Sequence, residues 1–100
     1  MSQFVSVVRA KAKEGHREEI MKRMKSFGLP TGCSNYTTID TGGETFCSFM
    51  IWDSEQALID ARPEMINNLD TIREFLEELS PDLGVTDPVS GPVAYQELRS

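Results

Sequence analysis

The apolar positions of the chain follow two rhythms. Phe4 to Lys13 is rich in valine and reads as a strand. After Gly15 the spacing changes. Ile20, Met21, Met24 and Phe27 share one face of a helix predicted over about 16–27. Glu18 and Glu19 fall in its first turn and Lys22, Arg23 and Lys25 near its end, the order that the helix dipole favours. Gly28 and Pro30 end it. Two strands, 34–41 and 44–52, flank Gly42-Gly43, a tight-hairpin signal. Asp53, Ser54 and Gln56 resemble a capping box, so a second helix is predicted from about 54. Arg62-Pro63 is predicted to interrupt it, because the residue before a proline avoids helical angles, and Pro63 suits the first turn of a new segment. Met65, Leu69, Ile72, Leu76 and Leu79 then repeat at helical spacing, over a helix of about sixteen residues stopped by Ser80-Pro81. Residues 82–92 read as a long loop, and 93–98 as a last short strand.

Strand, helix, strand, strand, helix, strand is the split-βαβ order. It predicts an α+β, ferredoxin-like fold: a four-stranded antiparallel sheet with both helices on one face. The 100 residues suffice for one such domain, 1–100. A sheet covered on one side should be polar on the other. The third strand departs from this: Phe46, Met50 and Trp52 point one way, and Cys47, Phe49 and Ile51 the other. The first strand sets Phe4 and Val8 against Val5 and Val7. Burying one large apolar side chain is worth roughly 1.5–3 kcal/mol. Several of them on an open face predict a second copy packed sheet to sheet, a homodimer.

The net charge of −6 argues against a nucleic acid or an acidic membrane surface as partner. Residues 1–30 carry seven basic and three acidic side chains, and residues 31–100 three basic and thirteen acidic. This reads as attraction between a basic first helix and an acidic second one, each surface pair contributing little. The basic residues near the N-terminus follow the apolar run, unlike a secretory signal, and no apolar run approaches the ~20 residues of a membrane span. A cytoplasmic protein is predicted. A hairpin register centred on Gly42-Gly43 sets Cys47 opposite Thr38 and Cys33 opposite Trp52, about 17 Å apart along the strands, so both thiols are expected free and buried as small hydrophobes. No glycine-rich phosphate loop, HExxH, GxSxG or Cys/His cluster occurs. The sequence therefore calls for no cofactor and no metal site.

Candidate chemistry centres on the third strand. Trp52 is read as sharing a face with Ser48, Met50, Asn35 and Thr37. Its indole either walls a pocket with the N–H aimed at a substrate oxygen, or is a core side chain satisfied by a backbone carbonyl. Asn35, Thr37 and Ser48 either line a pocket for a small organic ligand or hydrogen-bond one another. Tyr36 and Tyr95 are phenolic acids or strand packing. His16 is the single histidine, the one side chain whose unperturbed titration falls roughly between pH 5 and 8. It stands at the start of the first helix as an acid–base candidate or a surface residue. Arg62 either binds an anionic substrate group or pairs with Glu64 or Asp60. Cys47 has no identifiable base beside it.

Four stretches carry a family resemblance: the opening strand into Lys13-Glu14-Gly15-His16; Thr31-Gly32-Cys33-Ser34; Ile51-Trp52-Asp53-Ser54-Glu55-Gln56-Ala57, with its Trp-x-Ser-x-x-Ala pattern; and Gly91-Pro92-Val93-Ala94-Tyr95. Through them most of the chain resembles the antibiotic biosynthesis monooxygenase-like group of dimeric α/β-barrel proteins. The resemblance implies a homodimer of ferredoxin-like subunits, each with a pocket between sheet and helices. It also implies either cofactor-independent oxygenation of a small aromatic or phenolic substrate, or a non-catalytic binding or stress-related role. Anthrone-oxidising relatives pair the strand tryptophan with an asparagine four residues earlier and a tyrosine six later; here those places hold Ser48 and Leu58. Haem-degrading relatives use an asparagine on the first strand and a histidine ten residues after the tryptophan; here those places are approximately Val8 and Arg62. Trp52 is what remains of either set. The candidate catalytic residues are therefore Trp52, Ser48 and His16, with Asn35, Tyr36, Thr37 and Arg62 around the substrate.

Overall fold

In the computed structural model, which describes residues 3–99, four strands form one sheet: β1 (Phe4–Lys11), β2 (Cys33–Gly42), β3 (Thr45–Trp52) and β4 (Thr86–Pro92). Their order is β2-β3-β1-β4 and every neighbouring pair is antiparallel. Helices α1 (Arg17–Phe27) and α2 (Glu55–Asp70) complete the ferredoxin-like βαββαβ order. Strand alternation sends Phe4, Ser6 and Ala10 of β1, and Phe46, Ser48, Met50 and Trp52 of β3, to the inner face, where all are buried. Two apolar clusters lie on that face. One joins Ala10, Phe46 and Ile20 of α1 to Ile72 and Leu76; the other joins Phe4, Met50 and Trp52 to Leu58 and Ala61 of α2.

Local chemistry sets the joints. The Ser54 hydroxyl accepts from the Ala57 N–H at 3.1 Å and caps α2, while Gln56 turns away to donate to Asp60, so only half of the expected capping box forms. Arg17 clamps the hairpin, donating to the Gly43 carbonyl at 2.6 Å and pairing with Asp40 at 2.8 Å. At Gly32, φ is +84° and an added Cβ would lie 2.8 Å from the Ala57 Cβ, so the approach to β2 presses against α2 where no side chain fits.

Three sequence expectations are corrected. Pro63 does not interrupt α2 but lies inside it. The carbonyl it leaves without a donor is that of Ile59, on the exposed side, and the buried Leu58 and Ala61 hold the helix on course. The helix ends early instead. The Thr71 N–H turns back to Asn68 and Leu69, a 3₁₀ turn spans Arg73–Phe75, and Leu76 is extended and bridges Ala12. Ile72 and Leu76 are buried as their spacing suggests, but not on one helix. Finally, the last strand is Thr86–Pro92, inside the expected loop, and 93–98 is not a strand. Pro88 and Pro92 disguised it. β4 pairs only with β1, and at an edge a proline can face away from the ladder.

The outer face bears Val5, Val7, Cys47, Phe49 and Ile51, and neither cluster draws a residue from it. Ile39 and Val89 on its flanks are 47% and 65% exposed. The basic and acidic helices make no ion pair with each other among the described residues. Their link is Arg23, which pairs with Glu19, donates to the Thr71 carbonyl beyond α2 and lies over the Phe75 ring.

Candidate functional site

On the inner face the sheet presents the small side chains Val8, Ala10 and Ser48, which leave a gap beneath the helices. The gap is a cavity of about 290 Å³. Phe46, Leu76 and Ile72 bound one end; Met50, Tyr36 and Met65 bound the other. Met24 and Phe27 of α1 close one side. Arg62, Met65, Ile66 and Leu69 of α2 close another, at spacings of three, one and three that put them on one helix face.

The polar groups of the chamber are few. Ser48 is buried, and its hydroxyl lies 2.7 Å from that of Thr38. Each hydroxyl carries one proton, so one bond between them leaves one proton for a further acceptor. Burial pushes the Tyr36 phenol above its ordinary value of 10.0, an effect only partly offset by the Ser48 hydroxyl, so at neutral pH Tyr36 is a donor. Asn68 and Thr86 add an amide and a hydroxyl. Arg62 is exposed at the rim. The lining contains no Asp, Glu, His or Lys. Among the described residues no group of three or more His, Cys, Asp or Glu is placed to hold a metal ion.

Tyr36, Ser48 and Arg62 thus meet in one chamber, and the other candidates lie elsewhere. Trp52 is fully buried in the cluster that also holds Met50, and its Nε1–H donates to the Ser6 hydroxyl at 2.9 Å. It is outside the chamber lining. Its partner is a side chain, where the packing alternative expected a backbone carbonyl. Asn35 and Thr37 are corrected to the outer face, opposite Ile51 and Phe49, where Thr37 Oγ1 donates to Asn35 Oδ1 at 2.7 Å. The reason is one residue of register. Irregularities at Asp40/Gly42 and at Cys33/Asn35 bracket a ladder that pairs Ile39 with Cys47 and Thr38 with Ser48. Cys47 therefore does not face Thr38, and a slip of one exchanges the faces, bringing Tyr36 and Thr38 inward. Cys33 does face Trp52; both thiols are free and half-buried. His16 is exposed before α1, stacked on Phe75 at 5.2 Å between ring centroids and outside the lining. Tyr95 is 76% exposed. Sequence reasoning missed Ile66 and Asn68. The spacing of Ile66 from Arg62 would have found the first; nothing in the pattern marks the second.

No protein-family model matches the sequence, and no curated protein does. Solved structures share its fold at low identity. SnoaB, a cofactor-independent oxygenase from Streptomyces nogalater solved as a variant, is 14% identical with a TM-score of 0.77, over 100% of both chains. A candidate antibiotic biosynthesis monooxygenase from Chloroflexus aurantiacus is 12% identical with a TM-score of 0.75, over 96% of this chain and 97% of that one. A dimeric ferredoxin-like protein from an uncultured marine organism is 11% identical with a TM-score of 0.75, over 100% of this chain and 95% of that one. The chain therefore has the fold of antibiotic biosynthesis monooxygenase-like proteins. At these identities the likeness establishes fold alone.

Proposed function

We propose that the chain is a small-molecule-binding protein whose chamber takes one flat, largely apolar molecule of aromatic or phenolic type, and that it works as a homodimer in the cytoplasm. The observation that carries this reading is the chamber itself: about 290 Å³ of apolar space with the Ser48 and Tyr36 hydroxyls converging on it. Apolar groups on the outer face support the homodimer, and the dimeric neighbour makes the same arrangement natural for the fold. The free thiols Cys33 and Cys47 fit a reducing compartment.

Cofactor-independent oxygenation is the second reading, favoured by the fold shared with SnoaB. Such chemistry needs an ionised substrate. The chamber wall offers no carboxylate or imidazole as a base, so this reading is confined to substrates that ionise readily by themselves. Trp52 and His16 then act through packing, and Ser48 and Tyr36 through hydrogen bonds to a substrate oxygen.

Calorimetric titration with hydroxylated naphthalenes and anthrones tests the chamber, with an oxygen electrode run on the same panel. Binding that weakens in Ser48→Ala supports the first reading. Oxygen uptake that needs intact Ser48 and Tyr36 turns it into the second. Absence of binding across the panel removes both.

A further inference from the structure

Resting on the chamber as a binding site, we propose that its ligand is an aromatic carboxylic acid, held with its rings in the apolar interior and its carboxylate on the guanidinium of Arg62. Arg62 is the one charged side chain of the lining. It opens the α2 stripe that continues through Met65, Ile66 and Leu69. Its neighbours three and four residues away are Leu58, Ile59, Met65 and Ile66, so the helix supplies no carboxylate where a partner would stand.

Four of the other five arginines of this acidic chain are paired. Arg9 meets Asp87 at 2.9 Å, Arg17 meets Asp40 at 2.8 Å, Arg23 meets Glu19 at 2.8 Å and Arg73 meets Asp70 at 3.2 Å. Arg62 has no such partner among the described residues. The two acids that sequence offered it do not take it: Asp60 accepts from Gln56, and Glu64 forms no pair with it.

A guanidinium fork matches the two oxygens of a carboxylate, and apolar surroundings strengthen that attraction over its value in water. Standing at the rim, the cation is hydrated while the chamber is empty, so no buried charge is left unpaired. The other polar groups of the wall are neutral, and Tyr36 stays protonated at neutral pH because burial raises its phenol. Nothing anionic in the wall opposes the ligand. The size also fits. A cavity of about 150 Å³ accommodates benzene; a chamber of about 290 Å³ accommodates a fused bicyclic acid.

Calorimetry with 2-naphthoate and its methyl ester tests this. The wild type should bind the acid about tenfold or more tightly than the ester. Arg62→Gln should bring the acid down to the level of the ester and leave the ester unchanged, while Arg62→Lys keeps part of the preference. Equal binding of acid and ester by the wild type, or a preference that survives in Arg62→Gln, overturns the carboxylate assignment while leaving the chamber as a binding site. Failure of both probes to bind overturns the two together.

Discussion

The indole N–H of Trp52 and the hydroxyl of Ser6 meet at 2.9 Å across the neighbouring strands β3 and β1, both side chains buried. A fully buried indole needs such a partner. Ser6→Ala leaves the donor unsatisfied in a space that excludes water, at a cost of about 1–3 kcal/mol. Urea unfolding should show the midpoint falling with an unchanged slope. A midpoint that stays put would show that the indole finds another acceptor.

Pro63 sets a second expectation. A proline inside a helix is worth up to about 3 kcal/mol less than alanine, and here it denies the Ile59 carbonyl its donor. Pro63→Ala should raise the melting temperature, with a gain of about 1–3 kcal/mol at an exposed position.

Alkaline pH tests Tyr36. Its phenol is held above its ordinary 10.0, first by burial. Above about pH 10 the unfolded chain releases this proton while the folded one retains it, so the stability is intact below that pH and falls as pH rises through the folded value. Tyr36→Phe should flatten that decline in thermal melts between about pH 8 and 11. The Tyr95 phenol is also raised, by its hydrogen bond with Glu97, but that pair lies in solvent, which screens its contribution.

Phe49 and Val7 sit opposite each other on the outer face. Under the homodimer reading, sedimentation equilibrium should give twice the chain mass at micromolar concentration, and Phe49→Asp should give a monomer. The melting temperature of the wild type should rise with concentration and that of the variant should not. A monomeric wild type would remove the dimer.

The residues also show what a sequence can disclose here. Pleating enforces a period of two and so separated Phe46, Ser48, Met50 and Trp52 from Cys47, Phe49 and Ile51, but with apolar residues in both sets it did not tell which one meets the helices. Gly42-Gly43 marked the hairpin, and Ser54 marked the start of α2. The Tyr36 side of β2 was not legible. Its face depends on one residue absorbed at Asp40/Gly42, and no local propensity fixes that. The seam from Met65 to Leu79 likewise reports burial without reporting that the chain leaves the helix at Thr71. Arg62 was legible as a candidate but not as a resident of the chamber. Its setting depends on where the small Val8, Ala10 and Ser48 open space beneath α2.

Pro88 and Pro92 do more than obscure β4. An unpaired strand margin invites another ribbon to add on and lengthen the sheet sideways without limit. Each imino ring takes away an N–H that an added ribbon would need at β4, so the sheet cannot lengthen without limit: the other margin, β2, can add one further copy, and stacking of two layers likewise closes after a pair. A protein with this much grease on one flank is thereby steered away from fibres.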